Sequence, residues 1–188
     1  MYEFEEVRIR KFEFNDINKK IEWINNPKNN KFLHFDLPLE YEKTCKWFEK
    51  NKDNKNRYDA IIEYKGIPVG IVGLLDIDYK NKKCEEYITI GETNLKRKGI
   101  GTKALNLICL YAFKILKLNK VIAYVEYGNP SLYLHTKTGF EIEGFLKNDL
   151  IMDEKIVDRF ILGIFERNLN NLEKVRWVDD WWLLLYKK

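Results

Sequence analysis

The segment from residue 86 to about residue 116 constrains the fold of this chain more than any other. It reads as an extended run ending at Ile90, a short loop, a cationic glycine-rich turn at 96–102, and an amphipathic helix. Glycines let the backbone approach a ligand closely, and the first-turn amides of a helix have no helical partners. Because the helix dipole also favours an anion there, the turn predicts a phosphate site.

Apolar periodicity predicts the remaining elements. Short turns join three strands before the glycines, so these strands are expected to be antiparallel, whereas the strand after the helix is expected to run parallel to the one before it. In chain order the predictions are a strand at 6–12, helices at about 16–24 and 39–50, strands at 58–64, 67–76 and 84–90, the helix ending near 116, a strand at 120–127, a short helix from 129 to about 138, and strands at 140–144 and 155–165.

The length of 188 residues predicts one domain with an appendage. We place the domain at 1–166 and the appendage at 167–188. The appendage is rich in tryptophan, including Trp177, Trp181 and Trp182. Exposed aromatics at this density would promote aggregation, so we expect this tail to pack on the body or to form a homodimer contact.

Charge and cysteine usage exclude several classes of protein. The net charge of +4 is too small to indicate a nucleic-acid partner. Cys45, Cys84 and Cys109 form no C-x-x-C pair, so neither a disulfide framework nor a metal site is indicated. The acidic start of the chain lacks the apolar region of a signal peptide, and no apolar run is long enough for a membrane span. The expected setting is the cytoplasm, without a membrane partner.

Two common phosphate-binding motifs fit the turn poorly. A Walker loop is excluded, because no glycine pair has the required spacing before Lys-Ser/Thr. Gly99, Gly101 and Ala104 match the dinucleotide pattern G-x-G-x-x-A, and Glu126 ends the next predicted strand. That fingerprint belongs in repeated βαβ units, however, and here the preceding strand belongs to an antiparallel hairpin.

The order of features over residues 58–165 resembles the GNAT superfamily of acyl-CoA-dependent N-acyltransferases. Lys96-x-x-Gly99-x-Gly101 is similar to the family signature Q/R-x-x-G-x-G/A, with lysine at its first position, and Asn129 and Gly139-Phe140 follow in the family's order. The resemblance covers about residues 5–165 and is strongest to the branch with ribosomal-protein, spermidine and amino-sugar N-acetyltransferases. It implies an α/β fold with a mixed, mostly antiparallel sheet, a central parallel splayed strand pair and flanking helices.

The resemblance also implies acetyl-CoA as co-substrate. In the family the pyrophosphate lies on the amides of the turn, and the pantetheine arm runs along the strand before it. Asn129 is expected to contact that arm, although it is also a good cap for the following helix. The cofactor-binding residues predicted in this way are Ile88, Ile90, Gly91, Lys96, Arg97, Lys98, Gly99, Ile100, Gly101, Thr102 and Asn129.

Direct attack by an amine requires a base for the amine and an acid for the leaving thiolate. Glu85 matches the family's acidic position and is the predicted base, with Asp76 and Asp78 as further candidates. Many relatives have a tyrosine four residues before Gly-Phe, where this chain has His135. We therefore predict His135 as the acid and Tyr133 as the alternative.

The acceptor is expected between the first helices and the cofactor, near Trp23, Asn25, Phe32 and His34. This aromatic and amide-rich stretch favours a nucleotide-linked amino sugar as the small-molecule acceptor. A polyamine or a protein N-terminus, such as that of a ribosomal protein, stays open. A catalytically silent CoA-binding domain is the alternative from a different functional class.

Overall fold

The computed structural model describes residues 2–152, 154–169 and 175–177. Each predicted element is present there, with ends that differ by a few residues except for the strand predicted at 140–144, which is longer. The elements are β1 (Tyr2–Phe4), β2 (Val7–Lys11), α1 (Ile17–Asn25), α2 (Pro27–Asn30), α3 (Tyr41–Asn51), β3 (Tyr58–Tyr64), β4 (Ile67–Asp78), β5 (Lys83–Ile90), α4 (Ile100–Lys114), β6 (Lys120–Glu126), α5 (Ser131–Thr138), β7 (Glu141–Met152), β8 (Lys155–Ile164) and β9 (Val175–Trp177).

The described strands form one sheet in the order β7-β8-β6-β5-β4-β3-β2-β1-β9. Neighbours are antiparallel except β5 and β6, which are parallel and pair only from Lys83 with Lys120 to Glu85 with Ile122. Beyond Glu85, β5 continues beside β4 as far as Ile90, while β6 continues beside β8. The predicted mixed sheet with a splayed parallel pair is therefore confirmed.

Helices cover both faces of the sheet and bury its apolar side chains. The helix α4 packs on one face, where Ala104, Leu107 and Ile108 are fully buried. The helices α1 and α3 pack on the other face, in a cluster that contains Ile17 and Ile61. Because side chains alternate along a strand, each residue of β5 faces either the α4 side or the α1–α3 side.

Three features of the sheet were missed from the sequence. The strands β1 and β9 are three residues each, too short for alternation to be recognised, and they pair with each other at the sheet edge. The strand β7 runs to Met152, well past the predicted end, with register shifts near Gly144 and Asn148 that interrupt the pattern. The rest of the tryptophan-rich tail lies outside the described residues, so its packing or dimer role stays a prediction.

Within the described residues, no helix is both long enough and apolar enough to cross a membrane. The same part of the chain holds no group of three or more His, Cys, Asp and Glu side chains placed to bind a metal ion.

Candidate active site

The glycine-rich turn forms the N-terminus of α4. Gly99 is the N-cap and has φ of 78°, a left-handed conformation that a residue with a Cβ adopts at a cost. The first hydrogen bond into the helix runs from the Lys103 amide to the Gly99 carbonyl at 3.2 Å. The amides of Ile100, Gly101 and Thr102 therefore lie in the first turn, where helical geometry supplies no acceptor.

Four cationic side chains flank this amide cluster in sequence: Lys96, Arg97, Lys98 and Lys103. Arg97 and Lys98 are exposed, and the Lys96 ammonium donates to the Lys28 carbonyl at 3.2 Å. Lys103 is occupied differently, because its ammonium pairs with Glu5 at 2.7 Å. First-turn amides without helical acceptors, next to exposed cations, fit a pyrophosphate group.

The splaying of β5 from β6 creates a wedge that leads away from this turn. From Glu86 to Ile90, the edge of β5 that faced β6 has no partner strand among the described residues. Ile88, Ile90 and Gly91 lie along or just beyond this edge. Backbone amides and carbonyls there need partners, and an amide-rich pantetheine arm can supply them. The residues present therefore fit CoA.

A buried pair of a histidine and a glutamate lies at the narrow end of the wedge, on the α4 side. The His135 Nε2 is 2.6 Å from Oε1 of Glu86, and the His135 Nδ1 is 2.6 Å from the Ser131 carbonyl oxygen. The exposed fractions of His135 and Glu86 are 4% and 5%. Burial lowers the pKa of His135, but the charge of Glu86 and its hydrogen bond outweigh burial and raise that pKa.

Apolar and thiol groups surround this pair. The Phe140 ring lies edge-on to the imidazole, with 5.2 Å between ring centroids. Burial, followed by the charge of Glu86, raises the pKa of Cys84 to about 12. The same two causes raise the pKa of Cys109 well above its ordinary value. Both cysteines are therefore thiols at neutral pH, and Cys109 contributes to the apolar core.

The other predicted residues of this region lie on α5 or beside it. Tyr133, the alternative acid, is 72% exposed and lies on the outer side of α5, away from the buried side that holds His135. The Asn129 side-chain oxygen accepts a hydrogen bond from the Ser131 amide at 2.9 Å, so it caps the start of α5.

Glu85 lies on the opposite face of β5, towards α1 and α3. Burial, followed by the charge of Asp76, raises the pKa of this half-buried carboxyl, whereas Arg159 and His34 oppose the rise. Asp76 lies in a bulge of β4 with φ of 47°. Asp78 instead accepts hydrogen bonds from Asn81 within the following turn.

His34 lies in the loop between α2 and α3 and connects this loop to the carboxylates near Glu85. The His34 Nε2 is 2.5 Å from Oε1 of Glu126, which is the last residue of β6 and is 8% exposed. Two residues earlier, the half-buried Phe32 ring carries the Lys31 ammonium 5.0 Å from its centroid. His34 therefore lies near two carboxylates, Glu85 and Glu126, and its role in binding the acceptor stays a prediction.

Trp23 joins α1 to the end of β5. Its indole N–H donates to the Glu92 carboxylate at 3.0 Å, and the side chain is 2% exposed. A Cβ placed on Gly91 would lie 2.1 Å from Cγ of Trp23, so only glycine permits this approach. The Asn29 side chain donates to the carbonyls of both Trp23 and Gly91, at 3.0 and 2.8 Å.

The Asn25 side chain is hydrogen-bonded to the backbone of Leu39 through both of its polar atoms. Its amide nitrogen donates to the Leu39 carbonyl at 2.9 Å, and its oxygen accepts from the Leu39 amide at 2.7 Å. This pair of bonds fixes the end of the loop that carries His34 to the end of α1.

Several residues of the site were missed from the sequence: Asn29, Glu86, Glu92 and Arg159. The unusual position of Glu86 could have been recognised from the sequence. Alternation places it on the same face as Cys84 and Ile88, which is the apolar face that the helix covers. A carboxylate in such a position requires a buried partner, and His135 is the partner.

Comparisons with known proteins agree with this geometry. A sequence model described as "Acetyltransferase (GNAT) domain" matches residues 6–141. Spermidine N(1)-acetyltransferase of Escherichia coli K12 is 24% identical over 162 residues, covering 85% of this chain and 86% of that protein. An uncharacterized N-acetyltransferase of Bacillus subtilis, YnaD, is 26% identical over 164 residues, covering 86% of this chain and 95% of that protein.

Solved structures show the same fold. The crystal structure of spermidine N-acetyltransferase from Vibrio cholerae in complex with CoA and spermine has a TM-score of 0.80 and 23% identity, covering 87% of this chain and 98% of that one. The chain described here belongs to the GNAT acetyltransferase family. It is an N-acetyltransferase with acetyl-CoA as its co-substrate, which confirms the family and the co-substrate predicted from the sequence.

Proposed function

We propose that this chain acetylates a primary amine of a polyamine such as spermidine. The observation that carries the proposal is the group of carboxylates on the acceptor side of β5, formed by Asp76, Glu85 and Glu126. Of the basic side chains near Glu85, Arg159 pairs with Asp149, outside the group, and His34 pairs with Glu126, within it. The names of the Escherichia coli and Vibrio cholerae relatives support the same class of acceptor.

Glu85 is the base in this proposal. A primary alkylamine has a pKa near that of lysine, about 10.4, and must lose a proton before it can attack. The pKa of Glu85 is raised towards neutral pH, and a general base works best when its pKa lies near the operating pH. Asp76 and Glu126 add negative charge for the further ammonium groups that distinguish a polyamine from a simple amine.

The opposite side of β5 holds the co-substrate. When bound, acetyl-CoA supplies the activated acetyl group. The first-turn amides at 100–102 bind pyrophosphate, and the free edge of β5 from Ile88 to Gly91 aligns the arm. A backbone amide near Ile90 polarises the reacting carbonyl, and His135 donates a proton to the leaving sulfur. No residue forms a covalent intermediate in this scheme.

The polyamine replaces the amino sugar that the sequence favoured. That preference rested on an aromatic and amide-rich stretch, but Trp23 is buried against Glu92 and both polar atoms of Asn25 are bonded to Leu39. Carboxylates, by contrast, select for cations. A cytoplasmic setting and a dimer contact through the tail remain part of the proposal.

The test is an assay of thiol release from acetyl-CoA with an amine panel. The panel contains spermidine, a monoamine of similar chain length, a nucleotide-linked amino sugar and a peptide with a free N-terminus. We expect the highest kcat/KM for spermidine. Asp76→Asn should raise KM for spermidine more than for the monoamine, whereas Glu22→Gln, in an exposed ion pair with Lys19, should change neither.

Two results would contradict the proposal. Turnover confined to the amino sugar or to the peptide would assign a different acceptor. Tight acetyl-CoA binding without turnover on any amine would favour the silent CoA-binding domain.

A further inference from the structure

The buried pair of His135 and Glu86 carries an inference that rests on the proposed function. Glu86 is the first residue of β5 beyond its last pairing with β6, so the pair lies where the wedge begins. His135 is on α5, and the Phe140 ring packs edge-on against its imidazole. A carboxylate and an imidazole buried together beside a thioester site suggest a role in proton transfer.

Hydrogen-bond chemistry fixes the proton on one ring nitrogen. The Ser131 carbonyl can only accept, so Nδ1 of His135 carries a proton. The other nitrogen, Nε2, faces Oε1 of Glu86 at 2.6 Å. With Glu86 ionised, Nε2 carries a proton as well, and the ring is an imidazolium cation.

The carboxylate of Glu86 forms its hydrogen bond with this ring through Oε1. Within the described residues, the second oxygen of Glu86, Oε2, is buried and has no hydrogen-bond partner. The charged and titratable groups that face the pair are Cys84 on β5, Cys109 on α4 and Glu85 across the sheet. The two thiols are neutral, and Glu85 lies on the acceptor face, so Glu86 is the carboxylate that contacts His135 directly.

We propose that Glu86 is a positioning residue that keeps His135 in its imidazolium form, ready to give the Nε2 proton to the leaving thiolate sulfur. As the carbon–sulfur bond breaks, the Nε2–H group gives up its hydrogen bond to Glu86, the N–H bond breaks and an S–H bond forms. The other ring proton stays on Nδ1, which donates to the Ser131 carbonyl oxygen. The ammonium group loses two protons in all, one to Glu85 before attack and one to water as the carbon–nitrogen bond forms. Glu85 then returns its proton to solvent and the neutral imidazole takes one up, so each turnover yields the amide, the CoA thiol and one released proton.

The role of Glu86 predicts a direction of change with pH. His135 must be protonated to act, so kcat falls as pH rises through the pKa of His135. Glu86 raises that pKa and thereby extends activity to higher pH. In Glu86→Gln the carboxylate charge is lost, burial remains, and the pKa of His135 drops. Loss of activity then begins at lower pH, by about one pH unit or more, the usual effect of one close opposite charge.

The experiment combines an NMR titration with a pH–rate profile on the full-length protein. The chain has only two histidines, so His34→Gln identifies the His135 imidazole signals. We expect a His135 midpoint above 6.5 in the parent protein and a lower midpoint in Glu86→Gln. The alkaline limb of kcat, measured with saturating spermidine, should move in the same direction and by the same amount.

Glu63→Gln is the matched control. Glu63 is also a buried carboxylate, 5% exposed and paired with Arg8 and Arg10, but it lies on β3, away from the wedge. Glu63→Gln should change neither the His135 midpoint nor the alkaline limb of kcat.

Three results would overturn the inference. A parent midpoint below 6.5 would do so without any variant, which covers the case in which Glu86→Gln does not fold. An unchanged midpoint in a folded Glu86→Gln would show that the pair is not coupled. A midpoint that moves while the limb of kcat stays would remove His135 as the acid. If another amine is the substrate, only the proposed acceptor fails, and that amine serves for the kcat measurement.

Discussion

Replacement of Asn25 by alanine tests whether this residue supports the fold or binds the acceptor. The substitution removes two hydrogen bonds to the Leu39 backbone, of 2.9 and 2.7 Å. Each such bond contributes a net 0.5–1.5 kcal/mol, so we expect Asn25→Ala to lower the free energy of unfolding by about 2 kcal/mol. That is roughly a thirtyfold change in the folding equilibrium. For a chain of this length it corresponds to a Tm lower by about 4–8 °C.

The assay is urea or thermal unfolding, with KM for spermidine measured below the transition. Asn26→Ala is the matched control, because this neighbouring side chain makes one bond, accepting from the Lys28 amide at 3.0 Å. Loss of such a cap costs about 1 kcal/mol, half the effect expected for Asn25→Ala. KM for spermidine should change little in either variant.

The opposite pattern would refute this reasoning. If Asn25→Ala left the free energy of unfolding unchanged and raised KM for spermidine tenfold, Asn25 would be an acceptor contact, as the sequence first indicated.

Three further predictions concern both faces of the sheet. Glu85→Gln should lower kcat by about 100-fold or more and abolish the acidic limb of the pH–rate profile, which in the parent has its midpoint above the ordinary carboxyl pKa of 4.5. Gly91→Ala forces a Cβ into the Trp23 ring and should cost about 1–3 kcal/mol in urea unfolding, whereas Gly99→Ala meets open space and should cost only its left-handed strain. Burial lowers the pKa of Lys20 to about 7, below its unfolded value of 10.5, so the unfolded chain binds more protons in between. Parent stability should therefore rise from pH 7 to pH 10, and Lys20→Met should not show that rise.

The parts of the fold that could be predicted have long periodic patterns. The helix α4 was recognisable because Ala104, Leu107 and Ile108 recur at helical spacing, and all three are buried. The parallel pairing of β5 with β6 followed, since a strand, a helix and a strand connect in that way. Glycine spacing then indicated a phosphate site at 96–102, and the resemblance to the GNAT superfamily indicated the co-substrate.

The parts of the site that could not be predicted depend on partners far apart in sequence. Spacing placed His135 on a helix, but its partner Glu86 is 49 residues away and was assigned to a face without a role. Trp23 meets Glu92 across 69 residues, and His34 meets Glu126 across 92. Alternation and periodicity specify which face a side chain is on, and only the fold specifies what that face meets.

A crystal structure with bound CoA tests the central claim most directly. The account predicts pyrophosphate oxygens within hydrogen-bond distance, about 3 Å, of the backbone amides at 97–102. It also predicts the pantetheine arm between β5 and β6, against the edge from Ile88 to Gly91, with its sulfur next to His135. CoA bound away from the turn, or with its sulfur remote from both His135 and Glu85, would contradict the account.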